Sequence, residues 1–123
     1  MKQGGYKIQL GKIGEDLAAE FLEKQGCKII DRNFHTRYGE IDLIARKEGE
    51  ILFCEVKTRT SRDFGYPEYA VDRKKIDHLL KAVRIYLKIN NIKSFWRIDI
   101  ISIEIEKKKE TNIKWFRDIG IDN

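Results

Sequence analysis

Residues 39–58 constrain this chain more than any other stretch. Two apolar segments, 39–46 and 50–58, are joined by the short polar connection Lys47-Glu48-Gly49. That pattern reads as a β-hairpin. In the second segment Ile51 and Phe53 point one way, and Leu52, Cys54 and Val56 point the other. A strand that is apolar on both sides belongs in the middle of a sheet with a layer packed on each face. The rest of the chain must therefore supply two covering layers and at least one more strand.

It does so in order. Over residues 11–25, Ile13, Leu17, Ala18, Phe21 and Leu22 recur at helical spacing, and Gly26 supplies a C-terminal stop. Residues 27–34 read as a first strand. Asp72 can cap a helix running to about Asn90, with Ile76, Leu79, Leu80, Val83 and Leu87 inward. Residues 97–106 alternate as a fourth strand, with Ile98, Ile100 and Ser102 on one face and Asp99, Ile101 and Ile103 on the other. Residues 113–116 read as a short edge strand. The polar, glycine-containing stretch 1–10 reads as a flexible tail, leaving 11–123 as the folded domain. The expected fold is α/β: a single domain whose mixed sheet of about five strands is flanked by helices, in the order α-β-β-β-α-β-β. A length of 123 residues suits one core.

The net charge of +5 favours polyanionic partners such as nucleic acid. Cys27 and Cys54 stand apart, without a CxxC pair or a histidine cluster, so a zinc site is not expected. Both fall in apolar strand-like runs, as small buried hydrophobes do. The N-terminus has no apolar segment of signal-peptide type, and no run is long enough to span a bilayer. The expected location is the cytoplasm, with no membrane partner.

The chemistry lies in the hairpin. With a two-residue loop at Glu48-Gly49, Lys47 faces Glu50, Asp42 falls opposite Glu55, and Glu40 falls opposite Lys57. Opposed residues of an antiparallel pair have Cβ atoms about 5 Å apart. Two carboxylates that close need either a shared proton or a cation between them. Magnesium, often held by one or two carboxylates plus water and substrate phosphate, suits such a cradle. Lys57 shares a strand face with Glu55 and can orient a water or offset phosphoryl charge. Arg59 continues that alternation toward a backbone phosphate. Glu15, at the edge of the first helix's apolar stripe, can lean over the sheet toward the cradle. The plainer alternative is a surface charge cluster; against it, a covered central strand rarely carries charges without a partner.

Asp42 followed by Glu55-Val56-Lys57 resembles the PD-(D/E)XK nuclease superfamily. The phrases Gly14-Glu15, Gly39-Glu40-Ile41-Asp42-Leu43-Ile44, Phe53-Cys54-Glu55-Val56-Lys57-Thr58-Arg59 and Arg97-Ile98-Asp99 resemble the YraN-type family of small bacterial proteins, which is similar to archaeal Holliday junction resolvases. The resemblance implies a restriction-endonuclease-like fold with magnesium or manganese. Carried over by position, Glu15 is the helix glutamate, Asp42 the motif aspartate, Glu55 the metal-binding acid and Lys57 the catalytic lysine. Ile41 stands where the motif's proline would be; proline makes no metal contact. The expected activity is metal-dependent hydrolysis of DNA phosphodiesters, with branched or structured DNA as candidate substrate, and the resemblance suggests a homodimer. The alternative is a non-catalytic nucleic-acid-binding module on the same scaffold.

Further cations are candidate nucleic-acid contacts. Arg73, Lys74 and Lys75 open the second helix, where phosphate binding would explain cations at a positive helix end. Arg59 and Arg62 share a basic loop region with Phe64, Tyr66 and Tyr69, a mixture able to grip backbone and stack on bases. His35 reads as a surface residue and His78 as structural. Trp96 and Trp115 read as core-finishing residues.

Overall fold

The computed structural model describes residues 2–60, 73–106 and 110–119. These form helix α1 (Lys2–Lys24), strands β1 (Lys28–Thr36), β2 (Gly39–Lys47) and β3 (Glu50–Thr60), helix α2 (Arg73–Ile89), and strands β4 (Phe95–Ile105) and β5 (Thr111–Phe116). The element order is the one the sequence implies. The five strands make one sheet in chain order, β1-β2-β3-β4-β5. Only β3 and β4 run parallel among these pairs, and the connection between them contains α2, as a parallel crossover requires.

The central strand is where its two apolar faces demand. Ile51, Leu52, Phe53 and Cys54 of β3 are fully buried. Ala18, Ala19 and Leu22 of α1 pack with Leu43, Ala45, Leu52, Cys54, Ile101 and Ile103 on one face. Leu79, Ala82, Val83 and Tyr86 of α2 pack with Ile41, Ile44, Ile51, Phe53 and Ile98 on the other. The alternation expected for β4 holds: Ile98 joins the α2 side, and Ile101 and Ile103 join the α1 side. Both cysteines are buried and unbridged.

The hairpin turn is the expected two-residue one. Lys47 pairs with Glu50, and Glu48 and Gly49 both have positive φ, the conformation that matches strand twist in such turns. At the end of α1, Gly26 adopts φ 91°, and the Cys27 N–H reaches back to the Leu22 carbonyl, closing the helix as expected.

α1 differs from the sequence reading. Its backbone is helical from Lys2, so residues 2–10, expected as a loose tail, extend the helix. Periodicity gave no sign of this because the extension buries little: Ile8 is 74% exposed, and even Ile13, expected inward, is 50% exposed. Asp72, the expected cap of α2, lies outside the described residues.

Candidate active site

The site grows from an irregularity shared by β1 and β2. Their ladder pairs Phe34 with Ile41 and Arg32 with Leu43, but Asn33 and Asp42, which lie between, form no ladder pair. Asn33 takes a left-handed conformation (φ 50°), which asparagine tolerates better than most residues. Across from it β2 changes parity. Ile41 and Ile44 both pack on the α2 side, whereas Leu43 packs on the α1 side. The β2–β3 ladder stops at the same level, with Leu43 opposite Cys54. There the Val56 N–H donates to Asp42 Oδ2 at 2.8 Å. The expected continuation to Glu40 opposite Lys57 therefore does not form: the strands part, and Glu40 pairs instead with His35 of β1.

Carboxylates converge on this opening. Oxygens of Glu15, Glu40 and Asp42 lie within 4.8 Å of one another. Asn33 ties the first two together, its Nδ2 donating to Glu15 Oε1 at 2.9 Å and to Glu40 Oε2 at 2.8 Å. His35 Nδ1 stands 3.2 Å from the other oxygen of Glu40. Glu15 reaches the sheet because α1 passes unusually close to β3 at Gly14. A Cβ there would overlap the hydroxyl, Cβ and methyl of Thr58. The residue after Glu15, Asp16, binds Arg32 at 2.6 Å and fixes the helix against β1.

Glu55 departs from the expectation. It lines the same cavity, of about 440 Å³, as Leu10, Gly11, Glu15, Asp42, Val56 and Thr58. Its carboxylate, however, turns to α2, where Oε2 meets Lys75 Nζ at 3.3 Å, and it is not among the three gathered acids. Hairpin counting could not show this, because it assumes an unbroken ladder and takes no account of α2. Glu40, which counting placed against Lys57, joins the cluster instead. The hint of its role was its spacing: Glu40 and Asp42 are two residues apart, on one side of a strand. Asn33 gave no such hint.

Electrostatics follow from the burial. Asp42 is pushed up to about 8, first by burial and then by the charge of Glu55, with Glu15 and Glu40 adding; the Val56 N–H opposes the shift. Burial also raises Glu55, against the pull of Lys75 and Lys57. Negative charge gathered in a half-closed site is thus held at an electrostatic cost that a cation would relieve. The residues fit a hard divalent ion: they are carboxylate oxygens, with no thiol or imidazole needed at the centre.

The other expected residues are distributed as follows. Lys57 follows Glu55 on β3, is half-buried, and lies beside Ser102 of β4. Arg59 is only 12% exposed and stands 3.8 Å from Glu104, facing a carboxylate rather than solvent. Arg73 and Lys74 are exposed in the first turn of α2. Arg62 lies outside the described residues.

A second polar centre supports the fold away from the pocket. Asp99, fully buried, accepts from Arg97 Nε at 3.0 Å, Trp115 Nε1 at 2.8 Å and the Asp118 N–H at 2.9 Å. Arg97 also reaches Glu50 at 3.0 Å. Trp115 packs edge-on against Phe21, so this network anchors β5 and the segment after it to α1.

Comparison with known proteins is consistent across the chain. The model of "Uncharacterised protein family UPF0102" matches residues 14–103. A UPF0102 protein of Syntrophomonas wolfei is 52% identical over 103 residues, covering 82% of this chain and 89% of the relative. One from Caldanaerobacter subterraneus is 43% identical, covering 85% and 87%. One from Neisseria meningitidis is 41% identical, covering 89% and 92%. The matched span takes in Gly14, Asn33, all four pocket acids, Lys57 and Asp99, and with it the chain belongs to the UPF0102 family.

Proposed function

We propose that this protein is a metal-dependent endonuclease hydrolysing DNA phosphodiesters, with magnesium or manganese as its ion. The observation that carries the reading is the convergence of Glu15, Glu40 and Asp42, whose oxygens lie within 4.8 Å of one another, beside a pocket that Glu15, Asp42 and Glu55 line. A half-buried aspartate pushed up to about 8 beside further acids supports a cation-binding role.

Glu15, Glu40, Asp42 and Glu55 are the residues that would hold the ion. Bound there, it supplies positive charge for the phosphoryl oxygens and for an attacking water. Lys57, next along β3 on the side of Glu55, orients that water or offsets charge building on the phosphate. Asn33 holds Glu15 and Glu40 in place through its two amide hydrogens. The Val56 N–H fixes the direction of Asp42. Glu55 has to turn from Lys75 to take part, and Lys75, with exposed Arg73 and Lys74 beside it, offers positive charge where a strand phosphate would pass. The basic net charge favours the approach of DNA. Branched or otherwise structured DNA is the candidate substrate, and a homodimer would present two such sites to it.

The test is cleavage of duplex, single-stranded, flap and four-way-junction DNA with manganese, wild type beside Lys57→Ala, with calorimetric metal titration of wild type and Asp42→Asn. We expect wild type to cut and Lys57→Ala to bind metal without cutting. Equal cutting by both would remove the catalytic claim. Retention of DNA without any metal binding would leave only a binding module.

A further inference from the structure

A second cavity, of about 70 Å³, adjoins the acid pocket. It is lined by Tyr38, Gly39, Glu40, Lys75, His78 and Leu79, so it shares Glu40 with the acid cluster and Lys75 with Glu55. One wall is α2, where Lys75, His78 and Lys81 follow one another at three-residue intervals along one side of the helix. The other is the β1–β2 turn. There the Tyr38 ring carries Lys81 Nζ and Arg37 Cζ, each 5.0 Å from its centroid, and its hydroxyl accepts from Arg37 at 2.9 Å.

Charge and size together select the ligand. Lys75 and His78 line the cavity with cationic or cation-capable groups, and Arg37 and Lys81 stand on the ring of Tyr38, which also lines it. Among the described residues that line it, Glu40 is the one carboxylate, and both its oxygens are engaged, by Asn33 and His35. The space admits a small tetrahedral anion. Leu79 closes the floor.

We propose that this cavity is a phosphate subsite for a nucleic-acid strand, holding a phosphodiester that neighbours the one at the acid pocket. Lys75 and His78 donate to it, and Tyr38 holds Arg37 and Lys81 at its rim. The subsite rests on the nuclease reading only for what lies next door. It fixes the register of the strand and plays no part in the chemistry.

Binding of a short labelled DNA duplex without divalent metal tests this apart from cleavage. His78→Gln with Lys81→Gln should weaken binding about tenfold and lower the salt slope by about 1. Lys88→Gln, the same charge change in the last turn of α2, should weaken it less than twofold. Equal losses from the two substitutions would reduce the effect to overall charge and overturn the proposal, as would wild-type binding by the double variant. In the unmodified protein, the Gly39 and His78 amide resonances should move when the duplex is added. Inorganic phosphate moving them while the duplex does not would assign the cavity to a free anion instead. A chain that binds the strand here yet never cuts would lose the nuclease reading and keep the subsite.

Discussion

The Asp42 carboxylate holds the Val56 N–H at 2.8 Å, so a side chain closes the β2–β3 ladder where a backbone carbonyl would otherwise do so. This bond gives Asp42 a structural part beside its chemical one, and the two parts respond differently to substitution.

Asp42→Asn should stabilise the metal-free protein near neutral pH. The carboxyl is raised from an ordinary 3.8 to about 8. Between those values the unfolded chain is ionised and the folded one protonated, so stability is full at the acid end and falls as pH rises. One such group costs at most about 1.4 kcal/mol per pH unit. Asparagine keeps an oxygen for Val56 without this penalty. Urea denaturation across that window should show the slope in wild type and a much flatter one in the variant. Parallel slopes would contradict this origin of the shift.

Metal binding should release a proton. Below about 8 the Asp42 carboxyl has to ionise before an ion can bind, so apparent magnesium affinity should fall up to about tenfold per pH unit on acidification. Calorimetry in buffers of different ionisation enthalpy measures the proton directly. Binding without release would place the ion elsewhere.

Two glycines of α1 should respond in opposite directions to alanine. Gly14→Ala drives a methyl into Thr58, and overpacking of that kind costs about 1–3 kcal/mol. It should also weaken metal binding, since Glu15 moves with the helix. Gly11→Ala meets nothing within 4 Å and should raise stability by about 0.5–1 kcal/mol. Thermal melts of the two variants decide it; the same sign for both would refute the close approach.

Asp99→Asn should be costly and local. It leaves half-buried Arg97, still paired with Glu50, facing a neutral amide and weakens the anchor of Trp115, which points to a loss of about 1–3 kcal/mol. Magnesium affinity of the folded fraction should stay within about twofold, because this network lies apart from the acid pocket. A large loss of affinity would show that the two centres are coupled.

The fold was legible because its strongest local signals agreed. Glu48-Gly49 set the hairpin register, and the two apolar faces of β3 called for a helix on each side. Glu15 and Asp42 were within reach of the same reasoning. Glu40 offered only its two-residue spacing from Asp42, and Asn33 offered nothing, because it acts at a break in strand alternation that period-two counting smooths over. The Lys75–Glu55 pair depends on where α2 docks, a tertiary fact that no spacing within one element encodes. Alternation places Asp99 on the Ile101 and Ile103 face of β4 and shows no more, since nothing local marks an aspartate whose partners come from residues 115 and 118.

The parallel pairing of β3 with β4 also bears on how the molecule assembles. Every acid of the pocket precedes residue 60, so α1 and the β1–β3 meander can gather them from local contacts during synthesis. β4 can dock only after the crossover helix has been made. Until then β3, whose Ile51 to Cys54 are fully buried in the finished sheet, shows an open edge to other nascent chains, and a slow docking step prolongs that exposure.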